Sequence, residues 1–192
     1  MNPIPDVYLL RHGETVWNKA GRIQGQMNSD LTDLGREQAK AQAGILKRLD
    51  IGLDDIGLYC SPLTRTRETA ALALEGRDCT IDDRLIEIGC GEWEGLTPAE
   101  RVARDPDIVS RCKTDLDLYF KAPGNEGLTA LQARTAAFLA DLTGPAVIVS
   151  HKVTLIVMRG LLTGLPDDKL SELTSRQGTV IHISGGQERH YE

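Results

Sequence analysis

Two kinds of apolar stretch alternate along this chain. Short continuous runs read as buried strands: residues 6–11 with Val7-Tyr8-Leu9-Leu10, then Ile56-Gly57-Leu58-Tyr59-Cys60, then Ala146-Val147-Ile148-Val149, then residues 179–183. Between them, apolar residues recur at helical spacing. Leu34, Ala41, Ile45 and Leu49 predict a helix begun by Thr32-Asp33 and ended near residues 50–52. Ser61 as N-cap and Pro62 at the first helical position predict another through residues 64–74. Leu128, Leu131, Thr135, Phe138 and Leu142 mark a third, closed by Gly144-Pro145. Residues 153–163 supply the next.

The remaining segments are less regular. Residues 14–31 are polar and punctuated by Gly21 and Gly25, a loop with room for one helical turn. Residues 78–85 read as a further strand, and Gly89, Gly91 and Gly95 make 89–97 an irregular loop. Residues 98–126 alternate charged and apolar positions without a clean period, which predicts one or two short helices. Strands alternating with helices imply an α/β fold, a three-layer α/β/α sandwich around a largely parallel sheet. At 192 residues, with no linker, repeat or low-complexity segment, the simplest organisation is a single domain over 1–192.

Composition narrows the picture. With two Phe, two Trp and four Tyr, the core must rest on Leu, Ile, Val and Ala. Twenty-two basic against 28 acidic residues give a net charge of −6. That balance disfavours non-specific nucleic-acid binding, which needs clustered Lys and Arg, but leaves room for a local cationic pocket. Cys60, Cys79, Cys90 and Cys112 form no C-x-x-C pair, so nothing suggests zinc-ligand spacing, and free thiols in a reducing cytoplasm fit better than disulfides. Neither a signal peptide nor a run of roughly 20 apolar residues is evident, so no membrane association is expected.

Three strands end abruptly in reactive groups: Arg11-His12-Gly13, Ser61 leading to Arg65, and Ser150-His151. Each alone also fits an ordinary polar turn. Glycine after His12 would free the backbone to turn and let a ligand approach. Ligands of open α/β sheets bind beyond the carboxyl ends of the strands, so these groups should meet at one edge. Two arginines and two histidines there would grip a phosphoryl group. A neutral imidazole among them could act as nucleophile, with a nearby carboxylic acid protonating the leaving alkoxide. Glu87, Glu92 and Glu94 all compete for that last role.

At this point the chain resembles the histidine phosphatase superfamily, also called phosphoglycerate-mutase-like, over nearly its whole length. Arg11-His12-Gly13-Glu14-Thr15 with Trp17-Asn18 matches the opening motif, continued by Gly21-Arg22-Ile23-Gln24-Gly25, Leu31-Thr32 through Gly35, and Gln38-Ala39. Ser61-Pro62-Leu63-Thr64-Arg65 with Thr69-Ala70 resembles the second arginine motif. Arg84-Leu85-Ile86-Glu87 with Gly91-Glu92-Trp93-Glu94-Gly95 resembles the acid motif, and Val149-Ser150-His151 the second histidine motif. The resemblance implies His12 as the nucleophile that becomes phosphohistidine and Glu87 as the proton donor. Arg11, Arg65 and His151 would bind the phosphoryl group, assisted by Asn18, with Gln24 and Gly25 lining the substrate side. It implies no metal and no cofactor. The sequence departs from the family pattern at Lys152, where glycine is usual, and at Asn125 and Gly127 within Pro123-Gly124-Asn125-Glu126-Gly127.

The expected activity is a metal-independent phosphomonoesterase, cytoplasmic, acting on a small phosphorylated metabolite. Alternatives are a phosphoglycerate-type phosphomutase or a catalytically silent phospholigand-binding module. Residues 98–126 are expected to form a lid that selects the substrate. An edge strand or the 153–163 helix could pair chains as a homo-oligomer. The other candidates carry plain structural readings: Trp93 as packing, His182 as a satisfied strand residue, His190 as exposed, and Arg101, Arg104 and Arg111 as a solvated face.

Overall fold

In the computed structural model, which describes residues 5–192, the strand β1 (Val7–Arg11) leads through a single helical turn α1 (Val16–Lys19) into α2 (Asp33–Arg48). Then come β2 (Gly57–Cys60), α3 (Thr64–Ala73) and the two-residue β3 (Thr80–Ile81). Three short helices follow: α4 (Pro98–Arg104), α5 (Pro106–Val109) and α6 (Asp117–Phe120). The chain closes with α7 (Leu128–Ala140), β4 (Ala146–Ser150), α8 (Lys152–Thr163), β5 (Val180–Ser184) and β6 (Gln187–Tyr191).

The six strands form one sheet in the order β3-β2-β4-β1-β5-β6. The first four are parallel, while β5 pairs antiparallel with β1 and β6 pairs antiparallel with β5. Because side chains alternate across a strand, the continuous apolar runs feed two cores at once. Val7, Leu9, Ala146 and Ile148 pack under Phe138, Leu155 and Met158 of α7 and α8. Leu10, Val147 and Val149 pack under Ile45, Leu46, Ala70 and Ala73 of α2 and α3. This is the expected helix–sheet–helix layering. A third cluster joins α8, through Val153, Ile156 and Val157, to Trp93, Leu116 and Ala122. No helix among the described residues is long and apolar enough to cross a membrane.

Register decides where the chemistry goes. Arg11 pairs with Ser150 across β1 and β4, and the Ser61 amide donates to the Val149 carbonyl. Arg11-His12, Ser61 and Ser150-His151 therefore leave the sheet side by side at one edge.

Several expectations need correcting. The buried face of α2 is Gly35, Ala39, Gln42, Ile45 and Leu46, with Leu34 and Ala41 exposed. The helix is rotated because Gly35 presses against the backbone after His12. Ser61 is not an N-cap: α3 starts at Thr64 behind Leu63, without a side-chain cap. The strand expected over 78–85 is only β3, followed by a 3-10 helix at Asp83–Leu85 that Asp82 caps. Strand β6 was not anticipated, and residues 98–126 hold three helices. Arg101 is buried and donates to the Leu96 carbonyl at 2.8 Å, whereas Arg104 pairs with Glu92 at the surface. Trp93 is fully buried, with its indole N–H on Asp105, and His182 stacks on Tyr8 and reaches Asp6.

Candidate active site

His12 sits at the end of β1, buried, with its amide on the Ser150 carbonyl. Its Nδ1 lies 2.7 Å from the Gly13 carbonyl oxygen, an acceptor only, so Nδ1 carries the proton and Nε2 holds a lone pair. Among the described residues nothing hydrogen-bonds that Nε2. Burial, then Arg65 and Arg11, push the His12 imidazolium well below its ordinary range, against the opposing pull of the Gly13 carbonyl. His12 is therefore neutral at neutral pH.

Gly13 has a different use from the one expected. It adopts no left-handed φ. A Cβ there would lie 2.1 Å from the Gly35 carbonyl oxygen, and one on Gly35 would lie 2.1 Å from that of Glu14. The pair of glycines lets the start of α2 touch the histidine loop backbone to backbone. The Gly13 amide donates to Thr69 Oγ1, which in turn donates to the Arg65 carbonyl, tying this loop to α3.

His151 faces His12, with ring centroids 5.2 Å apart. Its Nε2 is 2.7 Å from Ser61 Oγ, and its Nδ1 is buried without a partner. Burial, followed by Arg65 and His12, likewise holds it well below the ordinary histidine range. Arg65 is buried on α3 and donates through both terminal nitrogens to the Gly25 and Met27 carbonyls at 2.7 Å. Burial lowers it to about 10, with Glu87 opposing, so it stays charged at neutral pH. Arg11 donates to the Ser175 carbonyl at 2.7 Å. Among the described residues, the Nε atoms of Arg11 and Arg65 are, like His151 Nδ1, buried and unpartnered. Unsatisfied buried donors are costly, and these three belong to residues that crowd His12. The two Nε atoms are donors, and His151 Nδ1 is one as well when Ser61 donates to Nε2.

Glu87 is 5% exposed and lies against the N-terminus of α8. Its Oε1 accepts from the Ile88 and Thr154 amides and the Thr154 hydroxyl, at 3.1, 3.1 and 3.2 Å. Among the described residues its Oε2 has only the Val153 amide, at 3.3 Å. The rival carboxylates are otherwise engaged. Glu92 pairs with Arg104 at the surface, and Glu94 Oε1 clamps the Gln26 and Cys90 amides at 3.0 and 2.9 Å. A Cβ on Gly25, at φ +50°, would strike that Glu94 carboxylate. Gly25 thus serves by close packing and by its carbonyl on Arg65. Gln24 is buried nearby with its Oε1 unpartnered.

Asn18 completes a capping box on α1: its Oδ1 accepts from the Thr15 amide at 3.2 Å and from Gln177 at 3.1 Å. Only its amide nitrogen is left for a ligand. Sequence reasoning missed three supports. Ser61 orients His151, and Thr154 bridges Glu87 to the Ile86 carbonyl at 2.7 Å. Buried Gln42 ties the Arg11 carbonyl to that of Thr179, at 3.0 and 3.1 Å. A buried glutamine on an otherwise apolar helix face was the available signal for the last. Among the described residues, no cluster of three or more His, Cys, Asp or Glu could hold a metal.

Residues 7–191 match the model of the histidine phosphatase superfamily, branch 1. Phosphoserine phosphatase 1 of Hydrogenobacter thermophilus is 32% identical over 184 residues, covering 91% of this chain and 85% of the relative. A protein named "Probable phosphoglycerate mutase GpmB" from Erwinia tasmaniensis is 31% identical, covering 94% and 85%. The solved structure of a mycobacterial glucosyl-3-phosphoglycerate phosphatase with VO3 superposes with a TM-score of 0.79 at 29% identity, covering 97% of this chain and 96% of that one.

Proposed function

Because the chain belongs to the histidine phosphatase superfamily, branch 1, we propose that it is a metal-independent phosphomonoesterase that works through phosphohistidine on a small phosphorylated metabolite. One observation carries this reading: three buried donors without partners, Arg11 Nε, Arg65 Nε and His151 Nδ1, beside an imidazole whose proton is fixed on the far nitrogen.

The phosphoryl oxygens take those donors, with the Asn18 amide nitrogen assisting and Gln24 and Gly25 on the substrate side. The His12 Nε2 lone pair attacks phosphorus. The N–P bond forms as the ester P–O bond breaks, and the leaving oxygen takes a proton from Glu87 at Oε2, the oxygen with fewer donors. Arg11 and Arg65 spread the developing negative charge, the part a metal would otherwise play. Water then attacks the phosphohistidine and gives its proton to Glu87, phosphate departs, and His12 regains its lone pair. Residues 98–126 act as the substrate-selecting lid of a single working domain, a role supported by Leu116 and Ala122 packing on α8 beside Glu87. Four free thiols support the cytoplasmic placement.

The test is hydrolysis of an aryl phosphate by chelator-treated protein beside His12→Ala. Chelator-resistant turnover that vanishes in the variant, with an acid-labile phosphoryl-enzyme trapped in the wild type, is expected. Equal turnover in both would place the nucleophile elsewhere. The similarity to a relative named as a mutase favours one second reading, transfer back to substrate. Interconversion of monophosphoglycerates in the presence of a bisphosphate primer, without phosphate release, would replace hydrolysis.

A further inference from the structure

Beside Arg11 lies a recess of about 330 Å³ whose lining includes neither His12 nor Glu87. Its walls include Arg11, Asp115, Lys152, Ile156, Ser175 and Arg176. Three of these six are cations. Ser175 is 7% exposed, yet its hydroxyl has no partner among the described residues. Its own carbonyl holds Arg11, so this hydroxyl and that guanidinium belong to one local structure.

Lys152 is the residue that sets this chain apart at the motif position after His151. It opens α8, one residue before the amide that Glu87 accepts. Its side chain therefore begins beside the group assigned to the leaving oxygen. The ammonium lies 5.7 Å from the centroid of the Tyr119 ring and pairs with Asp115. The Asp115 carboxylate is 62% exposed. An ion pair with such an exposed partner holds Lys152 weakly, at about 1 kcal/mol or less, so redirecting the lysine costs little. Arg176 stands at the rim, itself paired with Glu192 at 2.9 Å.

We propose that this recess is a subsite for a second anionic group, a carboxylate, on the alcohol portion of the substrate, with Lys152 as its charge partner and the Ser175 hydroxyl as a donor. The inference rests on the phosphatase reading, because that reading puts the leaving oxygen at Glu87. Arg11 is the wall shared by the two sites. A substrate whose phosphoryl group rests on one face of that guanidinium extends its remaining atoms past Glu87 toward Lys152. Asp115 then acts as a placeholder that a substrate carboxylate displaces. A hydrophobic pocket cannot choose strongly between small phosphate esters, whereas a charge-assisted contact can.

The test compares phosphoglycolate and its longer ω-carboxyalkyl homologues with ethyl phosphate and the matching n-alkyl phosphates. The readout is the ratio of kcat/KM values within each pair, so that any loss common to both cancels. The wild type should favour the carboxylate partner by at least about tenfold at one chain length, as expected of a charge-assisted hydrogen bond. That preference should collapse toward unity in Lys152→Met and weaken in Ser175→Ala. Should Lys152→Met fold poorly, Lys152→Gln supplies the same comparison.

Calorimetric binding of phosphonoacetate against methylphosphonate gives the same ratio without catalysis. Binding selectivity that depends on Lys152 in a protein with no turnover would sink hydrolysis and keep the subsite. Turnover with no carboxylate preference, or a preference indifferent to Lys152, would overturn the subsite and leave hydrolysis standing.

Discussion

Ser61 Oγ and His151 Nε2 lie 2.7 Å apart, both fully buried, and join the end of β2 to the end of β4. With the hydroxyl donating to Nε2, the imidazole carries its proton on Nδ1, the atom that lacks a partner among the described residues and that we propose meets the phosphoryl group. Ser61 is thus a positioning residue that acts through His151. Ser61→Ala should cost about 1 kcal/mol of stability, the value of one neutral hydrogen bond. Its kcat/KM should fall more than that, by about ten- to a hundredfold, since a loosened imidazole misplaces a donor. Steady-state kinetics beside thermal unfolding separates the two. A stability loss with unaltered kcat/KM would reduce Ser61 to packing.

Glu87 should reveal its role through leaving-group dependence. Donors already crowd Oε1, while Oε2 has one long contact, which leaves it able to exchange a proton. Glu87→Gln should slow alkyl phosphate hydrolysis by about a hundredfold or more, the usual scale of general acid catalysis. A nitrophenyl phosphate, whose leaving group needs little protonation, should lose far less. Equal losses for both would remove the proton from the role of Glu87 and leave it as scaffolding for α8.

How much of this was legible in the chain depended on how much burial each residue announced. Strands β1 and β4 were plain because both faces are covered and the apolar run is unbroken. The meeting of Arg11-His12, Ser61 and Ser150-His151 at one edge was legible for the same reason, since polar groups stand where such runs stop, whereas the choice of Glu87 over Glu92 and Glu94 rested on the family resemblance alone. Strand β6 was not, because Gln187-Glu188-Arg189-His190-Tyr191 lies at the sheet edge with its side chains mostly exposed. Ser61 misled because Ser-Pro is equally good helix-start chemistry, and only the third dimension brings His151 to its hydroxyl. Arg101 misled because a lone arginine among charged neighbours reads as solvent-facing, while here its head group is held by the Leu96 carbonyl.

The two histidines set a pH dependence with a definite sign. Burial, then Arg65, holds both His12 and His151 well below their ordinary value of 6.5. As pH falls through 6.5, the unfolded chain takes up protons that the folded chain refuses, so stability is lost downward from there. Each histidine contributes a slope of up to about 1.4 kcal/mol per pH unit until its folded value is reached. Denaturant unfolding across that range should show the slope, and His151→Gln should remove part of it. In kinetics, the acid limb of kcat/KM should fall below pH 6.5, because His12 stays neutral there. An acid limb above 6.5 would mean that a charged His12 is the resting form.

The contact between Gly13 and Gly35 makes a last prediction, in which Gly13 and a second glycine on the helix that carries Gly35 behave oppositely. At Gly13 an added Cβ would meet the Gly35 carbonyl oxygen at 2.1 Å and its carbon at 2.7 Å. Both are backbone atoms at the start of α2, anchored by the Thr32 cap, so neither can swing aside as a side chain would. Gly13→Ala should therefore cost about 3 kcal/mol or more, at the upper end of overpacking penalties. It should also displace His12, because the residue forced to move, Gly13, carries the carbonyl that fixes the Nδ1 proton. Gly44 lies on the exposed side of the same helix, and a Cβ there meets nothing within 4 Å. Gly44→Ala should raise stability by up to about 1 kcal/mol, the helix-propensity gap between the two residues. Thermal unfolding of both variants measures the contrast. A tolerated Gly13→Ala would show that α2 can shift away from the histidine loop, and the preorganisation of His12 would then have to come from the sheet alone.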